Sequence, residues 1–278
     1  MVYEAVAAGK PALRRVGLWA LGLVEAEDVD LLAAAVADPD PEVRSIAIGS
    51  VPDPAGDERA FDVLLTGLRD VNEQVRTSAV NRIGYCGRAE AVAPLTGLVD
   101  DPAPRVRSMV AYALGRLGHD SAVPALLRLL EDPDRDVREN AVQALGRVGG
   151  TSAVDVLLAM ACEPDPEQRF QAATALASAA SDARAATALE ALAGDGIPEV
   201  RAATISGLAS TSGIPSPLGG RLLVRLIGDA DPTVRQRVVV LARRLAPDHL
   251  ADILTRFVED PDPGVRRLAE NELNRRQT

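Results

Sequence analysis

The sequence predicts an all-α protein, a right-handed α-solenoid built from about nine helical hairpins that span residues 1–278 as one array. Three observations predict this fold. An arginine recurs at intervals of 31 to 34 residues, an acidic residue stands six positions before it, and small or aliphatic residues follow it at helical spacing. A repeat of this length that is filled with helical patterns is typical of stacked helical hairpins.

The periodic arginine fixes the register of the repeats. It occurs at Arg44, Arg76, Arg107, Arg138, Arg169, Arg201, Arg235 and Arg266. In six of these repeats a proline stands three positions before the arginine, as at Pro104 and Pro263. Proline suits the first turn of a helix because its φ angle is fixed and the N–H that it lacks has no partner there. Each of these segments therefore predicts a turn followed by the start of a helix.

The residues around the arginine predict two helices in each repeat. After Arg138, the apolar residues Ala141, Val142 and Leu145 fall at +3, +4 and +7, which gives one buried helical stripe. Before the turn lies a second amphipathic stretch, for example "SAVPALLRLLED" at residues 121–132. The repeating unit is therefore a helix, a tight turn and a second helix.

The pattern D-x-D-P-x-V-R-x-x-A-x-x-A-L-G resembles the HEAT repeat, in the short form that also occurs in phycobilisome-lyase-type proteins. The resemblance covers essentially the whole chain. "KPALRRVGLWALGL" extends the register toward the N-terminus, after a short predicted helix around Tyr3 to Ala8. We therefore expect a degenerate cap repeat at 1–25, central repeats at 26–246 and a C-terminal cap at 247–278. The long connection at 210–220 is predicted to be a mobile loop because it is rich in Gly, Pro and Ser.

The resemblance implies a structural role for the periodic arginines. In HEAT-like proteins they form a ladder with turn aspartates of the same or adjacent repeats, and a guanidinium can bridge carboxylates and carbonyls in a fixed fork. The alternative is a track of arginines that binds phosphates.

The resemblance also places the second helix of each hairpin on the concave face of the array. The variable positions there, relative to the arginine, are −2, +1, +2, +5 and +9. Four of the seven aromatic residues fall at these positions, at Trp19, Tyr85, Tyr112 and Phe170. Tyr, Trp, Met and Arg are enriched at protein interfaces. We therefore predict a partner-binding surface made of Asn81, Tyr85, Met109, Tyr112, Arg116, Asn140, Gln143, Arg147, Phe170 and Gln171. The alternative is that the rings fill gaps between helices, first of all at Trp19.

The charge at these positions differs from that of the whole chain. The chain has a formal charge of −10. By contrast, eight basic and six acidic residues occupy the variable positions, which predicts a surface able to accept an acidic or polar peptide. An unselected, solvated surface is the alternative. The overall negative charge disfavours general attraction to nucleic acid or to anionic lipid.

Catalytic patterns are scarce. His119 and His249 are far apart, and the paired His and Glu ligands of deoxyhypusine hydroxylase, an iron enzyme built from HEAT repeats, are missing. Cys86 and Cys162 lie outside any CxxC, and there is no P-loop or GxSxG. We therefore expect a noncatalytic scaffold or adaptor without a metal or cofactor. Two alternatives stay open: a bilin-lyase-like or chaperone-like enzyme subunit, and a DNA-binding glycosylase of the HEAT-like type.

The sequence also predicts a cytoplasmic location. No apolar run reaches the roughly 18 residues that span a bilayer, and no signal peptide is evident at the start. A membrane partner is therefore not expected.

Overall fold

The computed structural model of the chain describes residues 9–23, 28–52, 56–210 and 217–275. These residues form seventeen α-helices and contain no β-strand. The helices are α1 (Pro11–Leu23), α2 (Val29–Ala35), α3 (Pro41–Gly49), α4 (Glu58–Gly67), α5 (Glu73–Ile83), α6 (Val92–Thr96), α7 (Pro104–Leu117), α8 (Val123–Leu129), α9 (Arg135–Val148), α10 (Thr151–Met160), α11 (Pro166–Leu176), α12 (Ala183–Leu192), α13 (Pro198–Ser210), α14 (Pro217–Leu226), α15 (Pro232–Leu245), α16 (Leu250–Phe257) and α17 (Pro263–Asn274). The predicted helix near Tyr3 and most of the predicted 210–220 loop lie outside the described residues.

The helices pair into hairpins, and the odd-numbered helix of each pair is called the inner helix below. The chain divides within α9 into two compact units, Met1–Ala144 and Leu145–Thr278. In the first unit the inner helices α1, α3, α5 and α7 stack in order, each beside the next. In the second unit α11, α13, α15 and α17 do the same. The prediction of an all-α solenoid of hairpins is therefore confirmed in each unit.

The two acids of the turn motif D-x-D-P make different contacts. The second acid is the N-cap: Asp40 accepts a hydrogen bond from the N–H of Glu42 at 2.8 Å, and Asp134 accepts one from Asp136 at 2.9 Å. Such a bond satisfies a backbone donor that the helix itself cannot pair. The first acid binds arginine, as described below. The motif therefore starts the inner helix and attaches it to a neighbour.

Adjacent inner helices approach closely at the A-L-G segment. A Cβ atom added to Gly115 would lie 2.6 Å from Cα of Ala144 and 2.7 Å from its Cβ. Both residues are buried, and Ala144 belongs to the next inner helix. Gly84 lies against Ala113 in the same way one repeat earlier. The glycine of one repeat thus makes room for the alanine of the next, which explains why both recur.

No helix within the described ranges is both long enough and apolar enough to cross a membrane.

Candidate partner-binding surface

Seven of the periodic arginines, counting Arg14, bind the first acid of the following hairpin. Arg107 donates from Nε to Oδ2 of Asp132 at 2.6 Å and from Nη2 to Oδ1 at 2.8 Å. Its Nη1 donates to the carbonyl oxygen of Asp101, in its own turn, at 2.7 Å. The corresponding arginine–carboxylate pairs are Arg14–Asp38, Arg44–Asp70 and Arg76–Asp101 in the first unit, and Arg169–Asp195, Arg201–Asp229 and Arg235–Asp260 in the second. Each of these arginines therefore joins two consecutive hairpins.

These arginines use their hydrogen-bond donors inside the fold. Asp132 is only 8% exposed, and its Oδ1 also accepts from the N–H of Asp134 at 2.9 Å. The hydrogen bonds from Arg107 hold the pKa of Asp132 below its usual range, against burial, which acts in the opposite direction. Arg138 and Arg266 donate to carbonyl oxygens of their own turns. The seven pairs with aspartate favour the structural role of these arginines over a phosphate track.

A second set of arginine pairs connects consecutive hairpins at the surface, and the sequence analysis missed it. Arg128 of α8 contacts Asp100 at 2.6 Å, although the two side chains are 61% and 74% exposed. Arg184 and Asp155 form a similar exposed pair in the second unit, as do Arg221 and Glu190. The partners stand 28 to 31 residues apart, and the three pairs occupy three different positions relative to the periodic arginine. The pattern around that arginine therefore does not reveal them.

The predicted surface is centred on α5, α7 and α9 in the first unit. Tyr85 lies two residues beyond the end of α5 and is 52% exposed. Cζ of Arg116, in the last turn of α7, lies 3.8 Å from the centroid of the Tyr85 ring. Asn81, Met109, Tyr112 and Gln143 are half-buried on the same three helices. An exposed stacked pair thus stands beside a half-buried polar and apolar surface.

Asn140 has a structural contact that the sequence analysis did not predict. Its Nδ2 donates to Oγ of Ser108 at 2.9 Å and to the carbonyl oxygen of Asp136 at 3.0 Å. Ser45 and Ser78 form a comparable contact between α3 and α5 at 2.9 Å. Both amide hydrogens of Asn140 are therefore used within the protein, and only its oxygen can accept a bond from a partner. Asn140 thus links α7 and α9, and its place in a partner-binding surface stays a prediction.

Three members of the predicted surface belong to the second unit. Arg147 is exposed near the end of α9, and Phe170 of α11 is 39% exposed. Nε2 of Gln171 donates to Oε1 of Glu167 at 3.3 Å within the same helix. Phe170 therefore presents part of its ring to solvent rather than filling the interior of its unit.

Trp19 differs from the role that the sequence suggested for it. Its side chain is 63% exposed on α1, and that of Val16 on the same helix is 60% exposed. A ring with this exposure does not fill a gap between the helices that the structure describes.

Among the described residues, no three or more His, Cys, Asp or Glu side chains are grouped so that they could hold a metal ion.

Comparisons with known proteins place this arrangement in a family. A family model for HEAT repeats matches residues 2–81, 61–145 and 123–209. No curated protein matches the chain. Among solved structures, the complex of CpcE and CpcF of phycocyanin lyase from Nostoc sp. PCC7120 is similar, with 20% identity, a TM-score of 0.49, and coverage of 81% of this chain and 91% of that one.

Two further solved structures are similar. An engineered protein shares 17% identity over 100% of this chain and 98% of that one, with a TM-score of 0.41. Human deoxyhypusine hydroxylase in complex with glycerol shares 21% identity over 92% and 98%, also with a TM-score of 0.41. The family model, in contrast, matches well over half of the chain directly, and the matched residues include Asp40, Arg107 and Gly115, whose contacts are described above. The chain belongs to the HEAT-repeat family.

Proposed function

We propose that the chain is a noncatalytic scaffold that binds an acidic or polar segment of another protein on the inner helices of its first unit. The observation that carries this proposal is the stacking of Arg116 on Tyr85. Cζ of Arg116 lies over the Tyr85 ring, 3.8 Å from its centroid, and the Arg116 side chain remains exposed. A guanidinium held in this way is suited to a bidentate bond with a carboxylate.

The stacked pair lowers the entropy cost of binding. A free arginine side chain loses much rotamer freedom when a partner fixes it, and such losses reduce affinity. The ring already restrains Arg116, because a cation over an aromatic face is attracted to it. The pair thus combines a charged group with a rigid apolar body, which is the combination that dominates binding energy at many interfaces.

The neighbouring side chains favour a peptide segment. Met109 and Tyr112 give apolar surface that is only half-buried in the free chain. The carboxamides of Asn81 and Gln143 each offer a donor and an acceptor, which match the two polar groups of a peptide backbone. A nearby acid is already occupied, because Glu139 accepts from Arg135 at 2.6 Å. This balance supports an acidic or polar occupant over a basic one.

The test compares three forms of the full chain as bait in a lysate of its native host. Tyr85→Ala/Arg116→Ala removes the stacked pair, Arg128→Ala removes an exposed arginine of an outer helix, and the third form is unchanged. We expect the unchanged chain and Arg128→Ala to retain the same protein partner in near-stoichiometric amounts. The double variant should lose it, with an affinity at least ~30-fold weaker by calorimetry, or about 2 kcal/mol.

Folding must be controlled in the same experiment. Tyr85 and Arg116 are both exposed, so their removal should leave the helical content by circular dichroism unchanged. Arg116→Lys keeps the charge but loses the planar fork, so we expect intermediate affinity. Equal retention of the partner by the unchanged chain and the double variant would contradict the proposed surface. Loss of binding in Arg128→Ala alone would place the partner on the outer helices.

A further inference from the structure

The second unit contains a cleft that the proposed function does not use. It has a volume of about 500 Å³ and lies between the outer helices α14 and α16. One wall is a stripe of α14 at helical spacing, and the end of the cleft is formed by the segment that joins α15 to α16. Lining residues include Gly220, Arg221, Val224, Leu245, His249 and Ile253. Clefts of this size can enclose a drug-sized molecule.

Gly220 is the first sign that the cleft is more than a packing irregularity. It lies inside α14, where glycine destabilises a helix relative to alanine. A Cβ added to the neighbouring Gly219 would lie 3.2 Å from Cδ2 of Leu245, so packing restricts that position. A Cβ added to Gly220 would meet no heavy atom within 4 Å. Packing therefore does not require glycine at 220, and a longer side chain at this position would occupy space beside a residue that lines the cleft.

The walls of the cleft are largely apolar. Ile253 and Leu245 are buried beneath it, with 3% and 5% of their surfaces exposed. Val224 is 65% exposed on α14, beside the exposed Arg221 and Arg225. Apolar surface that is open to water favours an apolar occupant because binding removes this surface from water.

The charged groups at the rim limit the charge of the occupant. Arg221 donates from Nε to Oε1 of Glu190 at 2.9 Å, and its Nη2 lies 2.8 Å from the same oxygen. Its charge is therefore largely compensated within the protein. Asp248 and His249 are exposed at the other side of the rim, where an imidazole can donate or accept a hydrogen bond. With Arg221 compensated by Glu190, the exposed Asp248 disfavours an anionic occupant, while the rim still offers polar contacts to an uncharged one.

We propose that this cleft binds an uncharged amphipathic small molecule, with an apolar ring or branched chain between Val224 and Ile253 and a hydrogen-bonding end at the rim near His249. The site lies on outer helices of the second unit and involves none of the residues of the proposed partner surface. Its failure and the failure of the scaffold function are therefore separate results.

The probe for this proposal is Prodan, an uncharged naphthalene with one ketone oxygen, whose emission shifts to the blue in apolar surroundings. We expect the full chain to bind it with a stoichiometry of one. Gly220→Leu should fill the cleft and weaken binding at least ~10-fold, while the melting temperature stays equal or rises. Val224→Ser, at an exposed position that the fold does not depend on, should weaken binding several-fold. Arg225→Leu adds an exposed leucine to α14 outside the cleft, so we expect it to bind the probe as the unchanged chain does.

Each contrary result overturns a stated part of the proposal. Absence of one-to-one binding to the unchanged chain would remove the site altogether. Equal affinity of Gly220→Leu and the unchanged chain for Prodan would place the probe outside the cleft. If Gly220→Leu does not fold, equal affinity of Val224→Ser and the unchanged chain would lead to the same conclusion. Anilinonaphthalene sulfonate, an anionic probe of similar size, should bind at least ~10-fold more weakly than Prodan. The reverse order would contradict the uncharged class of ligand.

Discussion

Removal of Arg107 tests how much the buried arginine pairs stabilise the stack of hairpins. Arg107→Ala deletes two hydrogen bonds to the Asp132 carboxylate and one to the carbonyl oxygen of Asp101. The Asp132 side chain then keeps the hydrogen bond from the N–H of Asp134 and the weaker electrostatic attraction of Arg138. Since the carboxylate is only 6% exposed in the intact protein, water replaces the lost donors incompletely.

The expected magnitude follows from burial. Breaking a buried ion pair by removing one partner costs several kcal/mol, because the remaining charge is uncompensated. For Arg107→Ala we expect about 3 kcal/mol, the low end of that range, since the guanidinium itself is 11% exposed. In a chain of this size each kcal/mol lowers the melting temperature by roughly 2 to 4 °C. The expected decrease in melting temperature is therefore about 6 to 12 °C.

Arg128→Ala is the matched control. Arg128 also contacts an aspartate in a neighbouring hairpin at 2.6 Å, the same distance as the Arg107–Asp132 contact. The Arg128 pair is mostly exposed, and exposed pairs contribute at most about 1 kcal/mol. Urea unfolding monitored by circular dichroism measures the free energy of both variants. Hydrogen exchange of the segments in α7 and α9 shows whether the loss is local to the Arg107 pair.

The comparison of the two variants decides the argument. If both lower the free energy of unfolding equally, burial does not determine the strength of these pairs. If Arg107→Ala lowers the free energy of unfolding less than Arg128→Ala does, other donors or water must bind the Asp132 carboxylate after the substitution. Either outcome would falsify the assignment of Arg107 as a buried structural link.

Two further predictions concern pH and packing. Hydrogen bonds from Arg107 hold the pKa of Asp132 in the folded chain below its unfolded value of about 3.9. The stability that this pair contributes is therefore fully present above the unfolded pKa, and it is lost as the pH falls through the folded pKa. The difference in unfolding free energy between the unchanged chain and Arg107→Ala should therefore shrink below about pH 4; a difference that stays constant down to pH 2 would contradict the linkage. Gly115→Ala should lower the free energy of unfolding by at least about 2 kcal/mol, because the added Cβ would lie 2.6 Å from the backbone Cα of Ala144. Denaturant titration measures this change, and an unchanged free energy of unfolding would mean that the two helices can move apart without cost.

The sequence predicts the architecture well because the repeat imposes the same physical demands many times. The apolar stripe, the capping acid and the proline at the helix start are local signals, and each recurs in register. The arginine was expected to contact acids of the same or adjacent repeats. In the structure, Arg107 binds the carboxylate of the following turn, Asp132, and the carbonyl oxygen of its own turn, Asp101. Which acid supplies the carboxylate depends on how the hairpins stack, and the sequence pattern does not contain that information.

Contacts that do not recur are beyond the reach of the sequence pattern. The stacking of Arg116 on Tyr85 depends on where the chain leaves α5, and the bond from Asn140 to Ser108 depends on the distance between two inner helices. The cleft beside Gly220 was missed for a related reason. That glycine looks like any glycine near a helix start until its empty surroundings are known. Exposure of Trp19 likewise depends on which neighbours surround α1.

The pairing of each arginine with the next turn gives the stack a direction. A hairpin such as α6–α7 carries a donor for the hairpin after it, in Arg107, and an acceptor for the hairpin before it, in Asp101. The hairpins α2–α3, α4–α5, α12–α13 and α14–α15 present the same pair of connectors, so the gain or loss of one such hairpin leaves the remaining connectors matched. The loss of half a hairpin would leave a carboxylate without its donor. Changes of length by whole repeats of this kind are thus compatible with this chemistry, because each junction stays the same.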